Sequence, residues 1–284
     1  MDGRVIAAHG RQYMVELADG TLLPCFPRGK KSEIACGDRV DIQRTSDDQG
    51  VVEAIQPRSS LLYRSNEIRQ KLIAANVDQI VIVVATEPAF YDELIARALL
   101  AAESEEIAPL IVLNKCDLAD KLPAARERLA VLVGLGYPIL ELSARDHAED
   151  LRPYLKGKTS VLVGQSGMGK STLVNALIPQ ANAATREISQ ALDSGKHTTT
   201  HATLYHLDAD SDLIDSPGLQ EFGLGHLDRH EIESAFPEFR DHLGQCRFRD
   251  CRHDREPGCA LVAAVAQGHI DPNRFAIYRR IVGL

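Results

Sequence analysis

The 284-residue sequence has no apolar run approaching the roughly 20 residues that a bilayer-spanning helix needs. Its first residues, MDGRVIAAHGRQY, lack the apolar core of a secretory leader. A cytoplasmic protein without membrane partners is therefore expected. An excess of positive charge is also missing: 32 Lys and Arg stand against 40 Asp and Glu, a net charge of −8. That argues against a surface that grips nucleic acid all round and confines any such contact to a local basic patch. Cysteine is scarce, six in all. In a reducing compartment these point to a metal site or free thiols rather than to disulfides. The length suits two or three domains with real cores.

The most informative stretch that is present is Gly164-Gln165-Ser166-Gly167-Met168-Gly169-Lys170-Ser171-Thr172. It follows the apolar run Thr159–Val163 and precedes a helical pattern at Leu173–Leu177. This is the strand–loop–helix setting of a phosphate-binding loop. Glycines let backbone N–H groups converge on phosphate oxygens, and the helix N-terminus adds partial positive charge. Lys170 is expected at the β- and γ-phosphates and Ser171 on Mg²⁺.

Upstream, the continuous apolar runs Gln79–Ala85 and Pro109–Leu113 read as strands buried on both faces of a parallel α/β sheet. A helical pattern over 91–106 lies between them. The second run ends directly in Asn114-Lys115-Cys116-Asp117, and the next strand, Pro138–Leu142, ends in Ser143-Ala144. In that context the pair reads guanine. Asp117 accepts from N1–H and the exocyclic amine, a donor pair adenine lacks. Asn114 is expected at the base edge, the Lys115 stem over its face, and a backbone donor of Ser143-Ala144 at O6. Base recognition precedes phosphate recognition in the chain, an order that a circular permutation of one sheet explains.

The polar stretch 180–202 reads as a switch loop. Within Gly195-Lys196-His197-Thr198-Thr199-Thr200, Thr199 is the preferred Mg²⁺ ligand, with Thr198 and Thr200 close behind, against the alternative of a Thr-rich strand start. Strands over 203–207 and 211–215 follow. Asp215-x-x-Gly218 is expected to hold Mg²⁺ through water and to bond the γ-phosphate through the Gly218 amide. Leu219 stands where a water-orienting glutamine is common, and leucine cannot orient water. His197 is the candidate replacement; an exposed histidine without that role is the alternative. The loop's fourth residue, Gly167, gives no support for recruiting K⁺ instead.

Residues 1–57 carry five short runs of β-formers, with a hairpin signal at Asp19-Gly20, and suit a small barrel of the oligonucleotide-binding type. Its basic loop, Phe26 to Lys31, is either a nucleic-acid contact or a solvated loop. Cys25 and Cys36 read as packing residues. Residues 57–70 read as a polar connector. Towards the C-terminus, a helical pattern over 227–239 precedes Cys246, Cys251, His253 and Cys259, a complete tetrahedral ligand set for structural Zn²⁺. Four arginines lie between these ligands, free to meet phosphate or neutralised by Asp250, Asp254 and Glu256. Two closing helices are expected over 260–267 and 272–282. The expected architecture is multi-domain: an all-β barrel (1–57), a circularly permuted P-loop GTPase domain of α/β class (58–224) and a helical zinc-binding domain (225–284).

Taken together, the barrel, Asn76-Val77-Asp78-Gln79, the permuted motif order, Gly195–Thr200 and the Cys-x4-Cys-x-His-x5-Cys knuckle resemble the RsgA (YjeQ) family of ribosome-biogenesis GTPases over nearly the whole length. The resemblance implies a cytoplasmic GTPase, a monomer, that binds the immature small (30S) ribosomal subunit and its 16S rRNA. It also implies that the subunit stimulates hydrolysis and that the GTPase leaves late in maturation. A nucleotide-gated RNA-binding module with incidental hydrolysis, and a GTPase of the large subunit, are the alternatives.

Overall fold

The computed structural model describes residues 1–29, 33–66, 69–181, 202–216 and 222–284. Strands β1 (Asp2–His9), β2 (Gln12–Leu17), β3 (Leu22–Pro27), β4 (Arg39–Arg44) and β5 (Gly50–Ile55) form the N-terminal unit. They run β1-β2-β3-β5-β4, and β4 pairs back onto β1, so the barrel closes and keeps no free edge among them. Alternating residues such as Val5, Val15, Leu23, Val40 and Val52 fill it. Cys25 lies inside and Cys36 against the neighbouring core; burial pushes their thiols up to about 11 and about 12, as packing residues.

The connector expected over 57–70 is instead the start of a hairpin, β6 (Leu61–Asn66) with β7 (Arg69–Ala75). Leu62 and Ile73–Ala75, at its base, are buried. Its outer end is polar, so the sequence shows no sustained alternation there.

The central unit follows as β8 (Gln79–Ala85), α1 (Asp92–Ser104), β9 (Ala108–Asn114), α2 (Leu122–Gly134), β10 (Ile139–Glu141), β11 (Thr159–Val163), α3 (Lys170–Leu177), β12 (Thr203–His206) and β13 (Asp212–Asp215). Its spatial order is β10-β9-β8-β11-β13-β12, parallel except for β12. β8 is buried along its whole length, which is why it reads as one apolar run. The strand carrying the phosphate loop, β11, lies between β8 and β13 although its register partners on β8 (Ser160 with Gln79 through Val163 with Ile82) stand 81 positions away in sequence. β12 would leave an open edge, and β1 of the barrel pairs with it at Ala7 and Thr203.

The C-terminal unit packs α4 (Arg229–Ser234), α5 (Ala260–Ala266) and α6 (Pro272–Ile281) around Phe236, Phe239 and Tyr278. It docks on α1 through Arg280–Glu93 (3.1 Å) and Asn273–Asp92 (3.2 Å).

Candidate nucleotide site and metal centre

The carboxyl ends of β8, β9, β11 and β13 open on a cleft of about 980 Å³, the place where α/β sheets bind ligands. Asn114, Lys115 and Asp117 reach it from the end of β9, and Ser143 and Ala144 from beyond β10. Ser166, Gly167, Gly169, Lys170, Ser171 and Thr172 line it from the phosphate loop and α3, and Asp215 from β13. Gly164, Gln165 and Met168 support the cleft without lining it. His197, Thr199, Gly218 and Leu219 lie outside the described residues.

Two glycines of the loop are dictated by space. Gly164 has φ +145°, and a Cβ there would sit 2.2 Å from the Val83 carbonyl oxygen of the adjacent strand. Gly169 has φ +94°, and a Cβ would sit 2.2 Å from Asn114 Nδ2. Gln165 turns its side chain away, and its Oε1 accepts from the Tyr91 N–H at the start of α1 (2.8 Å).

Asn114 does more than the sequence suggested. Its Nδ2 donates to the Met168 carbonyl (2.8 Å), while its Oδ1 accepts from the N–H groups of Ala144 (2.8 Å) and Lys115 (2.7 Å). One buried amide thus binds the phosphate loop to both segments expected to read the base. Of the two backbone donors that Ser143-Ala144 could offer guanine O6, the Ala144 N–H already donates to Asn114. Lys115 Nζ bridges the carbonyls of Glu87 and Gly167, each at 2.7 Å. That stretches its stem across one wall of the cleft.

Lys170 Nζ donates to the carbonyls of Gly164 (2.5 Å) and Gln165 (2.8 Å). Burial lowers its pKa, and burial raises that of Asp215, while each partly offsets the other's shift. A cation and an anion held at one end of the cleft suit a triphosphate with its metal ion. Glu87, Pro88, Leu118, Arg145 and Ser216 also line the cleft and were missed. The end of a buried strand beside a topological switch point was the available signal for Glu87 and Pro88.

The second site is compact. One ligand atom each from Cys246, Cys251, His253 and Cys259 lies within 4.8 Å of the others. His253 Nδ1 is 3.5 Å from Cys246 Sγ and 3.3 Å from Cys259 Sγ. A tetrahedron with Zn–S of about 2.3 Å and Zn–N of about 2.0 Å has edges of about 3.5–3.8 Å, so these residues fit the ion. The Ala260 N–H donates to Cys246 Sγ and the Val262 N–H to Cys259 Sγ, contacts that favour thiolates. Without a cation, burial and the neighbouring sulfurs push the Cys251 thiol up to about 12; a divalent ion removes that proton.

Glu256 is one of the three acids that, in one of the two alternatives, neutralise the arginines of this loop. Its carboxylate instead accepts from the N–H groups of Arg252, Asp254 and Arg255, and those bonds bring it down to about 2. Asp254 pairs with Arg279 of α6, and Arg247 stacks over the exposed Phe248.

Fold and site together define a P-loop GTPase of permuted chain order, carrying a closed barrel before it and a Cys₃His cluster after it. The family model for RsgA GTPase matches residues 55–225. The small ribosomal subunit biogenesis GTPases RsgA of Burkholderia pseudomallei (strain K96243) and Bordetella pertussis are each 58% identical over 99% of this chain, covering 91% and 95% of their own lengths. Among solved structures, YjeQ from Thermotoga maritima superposes with TM-score 0.71 at 32% identity, covering 99% of this chain and 96% of its own. YloQ, a circularly permuted GTPase, gives TM-score 0.69 at 29% identity over 99% and 93%. The chain belongs to the RsgA GTPase family.

Proposed function

We propose that this protein hydrolyses GTP in the service of small ribosomal subunit assembly. One observation carries the reading: Asp117 and Lys170, brought from separate motifs in reversed chain order, face one cleft. Asn114, Lys115, Asp117, Ser143 and Ala144 would hold the guanine. Gly164 to Thr172 would hold the phosphates, with Lys170 on the β- and γ-oxygens. Ser171 and Thr199, with Asp215 through water, would hold Mg²⁺, and the Gly218 amide would bond the γ-phosphate. When bound, Mg²⁺ neutralises charge building on the phosphate oxygens. Asp117 selects the base, the loop amides and Lys170 fix the phosphates, and His197 takes the water-orienting role that Leu219 cannot fill.

The Cys246–Cys251–His253–Cys259 set would hold one structural Zn²⁺, since four protein ligands leave no open position. In this reading the barrel (1–57) and the zinc domain (225–284) contact 16S rRNA of the 30S subunit, and the GTPase domain (58–224) times release. The diversion of Glu256 to backbone amides supports a phosphate-reading role for the loop's arginines. The protein acts as a cytoplasmic monomer.

The test is GTP turnover with purified small subunits, large subunits and none. Hydrolysis should be slow alone and rise with small subunits only. Equal rates in all three arms would refute the proposal.

A further inference from the structure

A carboxylate lies behind the metal-ligand cluster with no part in ligation. Glu233, on α4, is 6% exposed. Its Oε1 accepts the Tyr278 hydroxyl of α6 at 2.6 Å and faces His253 Nε2 at 3.5 Å. The other ring nitrogen, Nδ1, is the one turned to the sulfurs of Cys246 and Cys259. His253 is itself 5% exposed and Tyr278 fully buried, with the Phe236 and Phe239 rings packed edge-on against Tyr278.

Burying a carboxylate among aromatic rings is costly, and an apolar residue of similar volume would pack there at less expense. An acceptor at this place has a specific use. A neutral imidazole carries one proton, and the partner of one nitrogen decides which is left to bind a metal. An acceptor at Nε2 places the proton there and leaves the Nδ1 lone pair for the ion. His253 needs the help, because its backbone sits at φ +60°, in the left-handed region, within a short loop. Tyr278 fixes the carboxylate in turn, and α6, which carries it, docks on α1 of the GTPase domain.

We propose that Glu233 is the positioning residue of the metal centre, setting the tautomer and aim of His253, with Tyr278 holding Glu233 in place. This rests on the reading that Cys246, Cys251, His253 and Cys259 bind a divalent ion.

The test uses the full chain and the metals alone. Zinc affinity is measured by competition with a chromophoric chelator for wild type, Glu233→Gln and Tyr278→Phe. Cobalt is substituted to read the d–d absorption of the tetrahedral site. Glu233→Gln should weaken zinc binding about 10–100-fold and alter the cobalt spectrum. Tyr278→Phe, which keeps the ring packing, should move both in the same direction by less. It carries the test by itself if Glu233→Gln does not fold. Unchanged affinity and an unchanged cobalt spectrum, even with a lower melting temperature, would mean a packing role and overturn the proposal. A wild-type chain that takes up neither metal would instead overturn the underlying reading of a metal site.

Discussion

Arg4 of the barrel and Asp212 of the GTPase sheet meet at 2.5 Å, Nη1 to Oδ2, across 208 positions of sequence. Arg4 also donates to Thr159 Oγ1 (3.0 Å) at the start of the strand that leads into the phosphate loop. Asp212 begins the strand that ends in Asp215. Both side chains are largely shielded, 24% and 11% exposed, so removing one strands the other in a poor solvent. Arg4→Ala should cost about 1–3 kcal/mol in urea unfolding. Combined with Asp212→Asn, the loss should fall short of the sum of the two single losses; strict additivity would show that the pair does not couple barrel to sheet.

The same junction predicts a pH response. His206 bonds Asp212 Oδ1 at 2.6 Å and Glu16 Oε2 of the barrel at 2.8 Å. The Asp212 contact chiefly, joined by Glu16 and opposed by burial, raises its pKa to about 9. A folded pKa above the unfolded value of 6.5 means stability that is complete below that value and lost as pH rises through 9. The effect is modest because the ring is half exposed. Thermal melts from pH 6 to 10 should show this alkaline loss in wild type, and His206→Gln should flatten it.

Asp117→Asn should weaken GTP binding about 100-fold or more, since it removes the charge from the two hydrogen bonds proposed between Asp117 and the base. Titration with a fluorescent GTP analogue reads this directly. Retained affinity would move base recognition elsewhere.

Gly169→Ala places a Cβ against Asn114 Nδ2 and forces a left-handed backbone on alanine. Displacing Asn114 breaks its link to Met168 and its hold on Ala144. Nucleotide affinity should fall about 10–100-fold, from about 1–2 kcal/mol of backbone strain together with the lost loop geometry. Circular dichroism should show the fold intact.

Cys251→Ser removes a ligand from the Cys₃His cluster. Zinc content measured on the purified chain should fall from one equivalent towards none, with a lower melting temperature for the C-terminal unit. Full retention of zinc would show that Cys251 is not a ligand.

Several features were legible without a fold because they lie within a few residues of one another. Gly164–Thr172, Asn114–Asp117 and Cys246–Cys259 each place their chemistry on one loop, where spacing alone fixes which atoms converge. The apolar run of β8 likewise announced a strand buried on both faces. The hairpin of β6 and β7 was hidden because polar residues dominate the sequence from Arg64 to Lys71 and leave no sustained alternation to read.

The sequence by itself determined the parts: which loop has the spacing of a phosphate-binding loop, which carboxylate is the candidate base reader, which thiols cluster. Tertiary structure alone decided how they meet. Asn114 joining Met168 to Ala144, Glu233 behind His253, and β1 closing the edge beside β12 all depend on residues 20 to 196 positions apart. Such contacts follow from the need to pair every buried polar group and sheet edge, a requirement that acts on the folded whole and leaves no periodic mark along the chain.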